Sequence, residues 1–502
     1  MTTAAEVRMR PGDPCVFVVF GAMGDLTQRK LLPSLDNLRA NGLLARDFAF
    51  IGVARRSLDD ASYRDHAVAA LREFAGRPVE GAPGKEFTER IHYVKGDFED
   101  PATYEALGAA LAHAARNHGT SGNALFYLAT PPDQFGTIVR GLGAAGLTRE
   151  DAGWRRVVIE KPFGRDLDSA KALNRELEAV LKEDQVYRID HYLGKETVQN
   201  ILFLRFSNAI FEQLWNNRHI DHVQITVAEE IGIEHRGSFY EQAGVVRDMV
   251  QNHILQLIAM VAMEPPVGFQ ADFIRDEKTK IFRSVRPVDR KYIDTSMVRG
   301  QYGKGTTGTE EIAGYRQEEG VAKDSCIPTF FAGKFHIDNL RWAGVPFYVR
   351  TGKRLPKRVS EICIQLRQLP LRLFGHTCDV MEPNVLILTI QPDARISLRF
   401  NVQYPHTAGQ IHAVDMKLGY RETFRTAIHP SYERQILDCI RGDLTLFVRQ
   451  DSIEAMWEIV DPVISRWNEC GPDDFPNYAA GTWGPEAAKR LIEQDGRRWI
   501  TG

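Results

Sequence analysis

The chain has no apolar run approaching the roughly 20 residues that a bilayer-spanning helix needs, which excludes a helical membrane protein. An excess of one charge is missing too. Lys and Arg number 63 against 66 Asp and Glu, a formal net charge of -3, with both signs mixed along the sequence. Neither nucleic acid nor an anionic membrane surface is therefore expected as a partner. Cysteine is scarce: Cys15, Cys326, Cys363, Cys378, Cys439 and Cys470 are the only six in 502 residues. No Cys-x-x-Cys pair occurs, and no Cys/His set has metal-site spacing, so no metal is expected. In so long a chain the cysteines read as reduced thiols of a cytoplasmic protein. The opening stretch MTTAAEVRMRPGDP lacks the apolar core of a secretory signal and reads as a disordered lead-in. Repeats and low-complexity runs are absent.

What is present is enough chain for two cores, since a single core stops growing at roughly 250–300 residues. The first part alternates short apolar runs with helical patterns. Strands are expected at 16–20, 48–54, 91–95, 124–129 and 156–160, and helices near 26–39, 58–75, 101–117, 133–145 and 167–183. That rhythm predicts βαβ units, a parallel sheet and helices on both its faces, the doubly wound Rossmann-type arrangement. After about residue 190 longer period-two stretches take over, at 222–230, 334–340, 345–350, 361–369 and 384–392, with helices at 238–263 and 451–469. They predict an α+β domain with a large, mostly antiparallel sheet. The expected division is 1–190 and 191–502.

Gly21-Ala-Met-Gly24-Asp25-Leu26-Thr27 stands between the first strand and the first helix. Gly21 suits a tight turn, and Gly24 lets backbone approach a pyrophosphate at a helix N-terminus. The third glycine of G-x-G-x-x-G is absent, and an ordinary glycine turn is the alternative. The second strand ends in Ala54-Arg55-Arg56-Ser57, with no acid before Asp59. A guanidinium fork matches a ribose 2′-phosphate, where NAD enzymes usually place a carboxylate. NADP is therefore favoured over NAD, and either arginine fits the role. The expected cofactor set is Gly21, Gly24, Asp25, Leu26, Lys30, Arg55, Arg56, Tyr127 and Lys161.

Three further segments gather ionisable groups in unusual settings. Glu160-Lys161-Pro162-Phe163-Gly164 follows a parallel strand, whose carboxyl end faces the ligand crevice. Arg188-Ile-Asp190-His191-Tyr192-Leu-Gly-Lys195-Glu196 falls where the alternating pattern ends. Arg247-Asp248-Met-Val-Gln-Asn-His253 opens an otherwise apolar helix. Each alone has a plain reading, as a helix cap or a satisfied core histidine. Beside a nucleotide-binding half they read as a site.

The string RIDHYLGKE at 188–196 resembles the signature of the glucose-6-phosphate dehydrogenases. It arrives with GAMGDLTQRK at 21–30, EKPFG at 160–164, RDMVQNH at 247–253 and RTGK at 350–353, in the family's order. The resemblance implies a coenzyme domain plus a β+α domain, NADP, and oxidation of glucose 6-phosphate at C1 to a lactone. This is the first step of the oxidative pentose phosphate pathway. It also implies roles: His253 as general base, Asp190 as the carboxylate orienting it, and His191, Tyr192 and Lys195 as the phosphate cluster. Lys161 would reach both substrate and nicotinamide. Glu229 and Asp248 would hold sugar hydroxyls, Lys353 and Arg358 would close over the substrate, and Gln391 would add a contact. A homodimer or homotetramer is expected. Met23 departs from the pattern, standing where relatives often carry Ser or Thr. Two rivals remain: a sugar dehydrogenase of the inositol dehydrogenase or glucose–fructose oxidoreductase group, and a non-catalytic NADP-binding subunit.

Overall fold

Apolar runs that stop at a glycine or a charged pair become the parallel strands of the first unit. In the computed structural model, residues 10–76, 82–307, 310–371, 381–407, 410–425, 430–472 and 474–500 are described. Strands β1 (Cys15–Phe20), β2 (Phe48–Ala54), β3 (Ile91–Lys95), β4 (Ala124–Leu128), β5 (Arg155–Ile159) and β6 (Val186–Arg188) form one sheet. Its order is β3-β2-β1-β4-β5-β6, with every pair parallel. The order reverses between β1 and β4, which is the dinucleotide-binding arrangement expected from the sequence. β1, β2 and β4 are buried along their whole length, because helices cover both faces.

The crossover helices begin at side-chain caps. Asp59, Asp100 and Asp166 each accept a backbone N–H in the first turn of the helices Asp60–Phe74, Pro101–His118 and Leu167–Glu178. The first helix departs from expectation. It opens as a π-helical turn, Thr27–Leu31, before Leu32–Ala40 continues as α-helix. The compact units are each built from more than one stretch of chain. The first unit holds Met1–Lys195 together with Gly268–Arg275 and His429–Glu454. Ile436, Leu437, Ile440 and Phe447 from the returning segment join Phe17, Leu35, Phe50 and Tyr63 in one core.

The second unit holds Glu196–Val267, Asp276–Ile428 and Ala455–Gly502. Its strands are β7 (Ile220–Ala228), β8 (Met297–Gly300), the short β9 (Tyr302–Gly303), β10 (Gly305–Thr307) and β11 (Glu310–Ile312). They continue as β12 (Phe330–His336), β13 (Pro346–Gly352), β14 (Val359–Leu366), β15 (Val385–Gln391), β16 (Arg395–Gln403), β17 (Ile411–Gly419) and β18 (Tyr478–Ala479). Eight of them form a sheet in the order β17-β16-β15-β14-β7-β13-β12-β8. Every neighbouring pair is antiparallel except β7 with β13. The large, mostly antiparallel sheet is as expected.

The helix expected over 238–263 is broken. Gly244 adopts φ 59° and ψ 174°, a conformation only glycine takes without strain. A π-helical stretch, Val246–Ile254, follows, and α-helix resumes at Leu255–Ala262. Wider π turns recur at functional sites. Among the described residues no helix is long and apolar enough to cross a membrane. Cys15, Cys326, Cys363, Cys439 and Cys470 are free thiols, and Cys378 lies outside the described residues.

Candidate active site

The glycine turn is shaped by the strand that follows it in the sheet. Gly21 has φ 89°, and a Cβ there would sit 2.3 Å from the carbonyl oxygen of Ala129. Its own carbonyl accepts the Gly24 N–H at 2.9 Å and the Thr27 hydroxyl at 3.0 Å. A residue other than glycine would push β1 and β4 apart at the switch point. Asp25 is exposed and pairs with Arg29 at 2.5 Å, Leu26 is half-buried, and Lys30 is exposed on the first helix. Arg55 and Arg56 are exposed beyond β2. The nearest acid along the chain, Asp59, accepts the Ser62 N–H at 2.8 Å and caps its own helix. These features fit a pyrophosphate at the turn and a 2′-phosphate beside the arginines.

Tyr127, the penultimate residue of β4, is fully buried and donates its hydroxyl to Glu160 Oε1 at 2.6 Å. Tyr432 is a second donor to that carboxylate. Burial raises the Glu160 carboxyl above its ordinary range, against the pull of both tyrosines and of Lys161. Lys161 follows directly, half-buried at the carboxyl end of β5, and the Lys161–Pro162 peptide is cis. Neither the Tyr127–Glu160 link nor Tyr432 was foreseen. EKPFG singles out Glu160 without giving it a role, and nothing around Tyr432 signals its partner.

The segment after β6 folds on itself. Asp190 is buried, and its Oδ1 accepts the Tyr192 N–H at 2.9 Å. The Asp190 carbonyl accepts the Leu193 N–H at 3.0 Å and the Gln435 amide at 2.9 Å. Lys195 N–H reaches the Tyr192 carbonyl at 3.1 Å. These overlapping turns stack the Lys195 ammonium 3.5 Å over the Tyr192 ring, with the His191 ring centroid 5.1 Å away. Three donors thus converge on one short stretch, held in place by a buried carboxylate. Arg188, at the end of β6, is buried, and its Nη1 donates to both carboxylate oxygens of Glu183, at 2.7 and 2.8 Å.

On the second unit, His253 is buried in the π-helical stretch, and its backbone N–H donates to Asn252 Oδ1 at 2.6 Å. Asp248, in the same stretch, lies 3.2 Å from the Lys353 ammonium. Glu229, just past β7, is the closer partner of the same ammonium. Lys353 is buried, and desolvation pulls its pKa down, but Asp248 and Glu229 outweigh this and raise it. The Tyr240 ring, 5.5 Å away, was not foreseen as its neighbour. The basic run from 350 to 358 divides accordingly. Arg350 is buried with its guanidinium 4.4 Å from the Trp483 ring and 4.5 Å from the Trp499 ring, whereas Arg358 is exposed. Gln391 ends β15, half-buried.

Within each unit the expected residues therefore fall into local groups, Asp190 to Lys195 in one and Glu229, Asp248 and Lys353 in the other. Two family models match successive stretches of the chain. The model of the glucose-6-phosphate dehydrogenase NAD binding domain matches residues 18–200, and that of the C-terminal domain matches 202–500. The chain belongs to the glucose-6-phosphate dehydrogenase family. The glucose-6-phosphate 1-dehydrogenase of Chlamydia pneumoniae is 45% identical over 494 residues, covering 97% of this chain and 96% of the relative. A solved glucose-6-phosphate dehydrogenase in complex with its substrate glucose 6-phosphate is 32% identical, with a TM-score of 0.89. That match covers 98% of this chain and 100% of the other. The Mycobacterium avium enzyme is 37% identical with a TM-score of 0.83, covering 98% and 99%. As in the glucose-6-phosphate dehydrogenase family, the first unit is a nicotinamide-dinucleotide-binding domain.

Proposed function

We propose that the chain oxidises glucose 6-phosphate at C1 to 6-phosphogluconolactone with NADP+, the first step of the oxidative pentose phosphate pathway. The observation that carries this reading is the turn from Asp190 to Lys195. It assembles an imidazole, a phenol and an ammonium of the kind a sugar-phosphate dianion needs. Bound nicotinamide would supply the hydride acceptor. Gly21, Gly24, Asp25, Leu26 and Lys30 surround its pyrophosphate in this proposal, and Arg55 and Arg56 recognise the 2′-phosphate. Tyr127 shapes the same end of the sheet through Glu160.

His191, Tyr192 and Lys195 take the sugar phosphate, so its binding energy is spent on positioning C1. Glu229 and Asp248 accept from sugar hydroxyls, Lys353 holds both carboxylates in place, and Arg358 and Gln391 add outer contacts. Lys161 serves substrate and cofactor together. His253 removes the proton from the C1 hydroxyl, with Asp190 in the role of orienting carboxylate. We further propose a cytoplasmic homodimer or homotetramer, divided functionally at about residue 190.

The test is the initial rate of nicotinamide reduction with glucose 6-phosphate or glucose, each with NADP+ or NAD+. Turnover confined to the phosphate ester and faster with NADP+ is expected. Equal rates with plain glucose would reject the phosphate assignment. His253→Asn should lower turnover by at least ~10²-fold with little change in substrate binding.

A further inference from the structure

Three imidazoles meet at the edge of the parallel sheet. His92 lies near the amino end of the edge strand β3, and His113 and His118 lie in the last turns of helix Pro101–His118. The His92 Nε2 and His118 Nε2 atoms are 3.0 Å apart. Behind them His92 Nδ1 is 2.9 Å from Asp60 Oδ2. Asp60 is itself fixed, because its other oxygen accepts the Tyr93 N–H at 2.8 Å. The His113 ring is exposed, with its centroid 5.6 Å from that of His92 and 6.5 Å from that of His118.

The tautomers follow from the carboxylate. Asp60 takes the Nδ1–H of His92, which leaves the His92 Nε2 lone pair directed at His118. A carboxylate behind a histidine is also the usual outer partner of a metal-ligating imidazole. The spacing points the same way. A tetrahedral ion with metal–nitrogen bonds of about 2.0–2.1 Å sets its ligand nitrogens roughly 3.3 Å apart. The two facing nitrogens need to open by only a few tenths of an ångström to admit one.

The charges around the cluster come from several elements. Arg64 lies 3.5 Å from Asp60, and Arg90 also acts on His118. Burial first, then His92, Arg90, His113 and Arg64, lower the His118 pKa. His92 and His118 already face each other, and the exposed His113, whose ring nitrogens lie 3.0 and 2.9 Å from the Asn117 amide, must leave that contact to become the third ligand.

We propose that His92, His113 and His118, oriented by Asp60, form a binding site for a divalent transition ion of the zinc class, with water as the fourth ligand. The site lies towards the amino end of β3. Dinucleotides bind at the carboxyl ends of such strands. Occupancy therefore clips the edge strand to its following helix and stabilises the first unit without competing with coenzyme.

Zinc titration of the metal-stripped full chain against a chromophoric chelator tests this, repeated for His92→Asn, His118→Asn, the double variant and Asp60→Asn. One site per chain is expected in the native protein, and cobalt in its place should give the visible absorption of a low-coordinate ion. The double variant should lose this site and its cobalt band, and Asp60→Asn should bind roughly 10-fold more weakly. All variants should keep native dehydrogenase turnover, which controls for folding. Unchanged zinc stoichiometry and affinity in the double variant would overturn the proposal, as would no binding below millimolar zinc in the native chain.

Discussion

Asp438 offers a pH-dependent test of how the first unit is held together. It lies on the helix Ser431–Arg441, only 1% exposed, with Arg434 Nε 3.0 Å from its Oδ2. Burial pushes its carboxyl from 3.8 up to about 7, against the pull of Arg434 and with a further push from Asp443. Between those two values the native state holds a proton that the unfolded chain has released. Stability must therefore fall as pH rises through that window, and the stabilising proton is fully lost above about pH 7. At about 1.4 kcal/mol per unit the ceiling is ~4 kcal/mol. Partial exposure of Arg434 and relaxation bring the expected effect to about 1–2 kcal/mol. Asp438→Asn keeps the shape and removes the charge. Urea-unfolding midpoints of both proteins should coincide below pH 3.8, where the carboxyl is protonated in both states. The variant should be the more stable by about 1–2 kcal/mol at pH 8.5. A difference that stays constant from pH 5 to 9 would refute the argument, and so would a variant that is less stable at pH 8.5.

Other consequences can be measured separately. Lys353→Met leaves Glu229 and Asp248 without their cation and should destabilise the fold by about 3–5 kcal/mol at pH 8, read by denaturant midpoint. Gly21→Ala should cost at least about 2 kcal/mol through its positive φ and its approach to Ala129. Gly24→Ala, whose Cβ would meet Gly21 oxygen at a looser 3.1 Å, should cost less in the same melts. Arg55→Gln and Arg56→Gln, assayed singly, should reveal which guanidinium meets the 2′-phosphate. Loss of a charge-assisted hydrogen bond there raises KM for NADP+ by roughly 10- to 100-fold and leaves KM for NAD+ nearly unchanged.

Short, largely buried strands were easy to read in the sequence. FAFIGVA and IHYVK lie between polar residues and helical patterns, and both strands occupy the expected residues, Phe48–Ala54 and Ile91–Lys95. Gly333 hid the start of β12. An expected strand at 334–340 turns out to be Phe330–His336, with the glycine packed against Phe331 and Met297. β16 and β17 escaped notice because β16 is mostly half-buried and much of β17 is exposed, and RISLRFNVQ and HAVDMKLG carry charges at close intervals. The interruption at Gly244 was equally hidden, since the apolar pattern runs on across it. At the site, residue types and order pointed to Asp190, His191, Tyr192 and Lys195. Pairing was less legible. Nothing in the basic run after Arg350 indicates that Lys353 turns inward to two acids while Arg350 is held by two tryptophans. Those partners lie far apart along the chain: the pairing of β7 with β13 brings Glu229 to Lys353, while Asp248, Trp483 and Trp499 arrive from outside the sheet.

The return of His429–Glu454 to the first unit has a consequence for biosynthesis. Ile436, Leu437, Ile440 and Phe447 complete a core whose other members were translated more than 200 residues earlier. The nucleotide-binding half cannot finish packing on the ribosome until most of the polypeptide has emerged, and closing so long a loop slows folding. A nascent chain paused near residue 195 would display the apolar wall of the first helix to solvent. Chaperone demand during synthesis should therefore peak midway through the message, and a fragment cut at that point should aggregate when expressed alone.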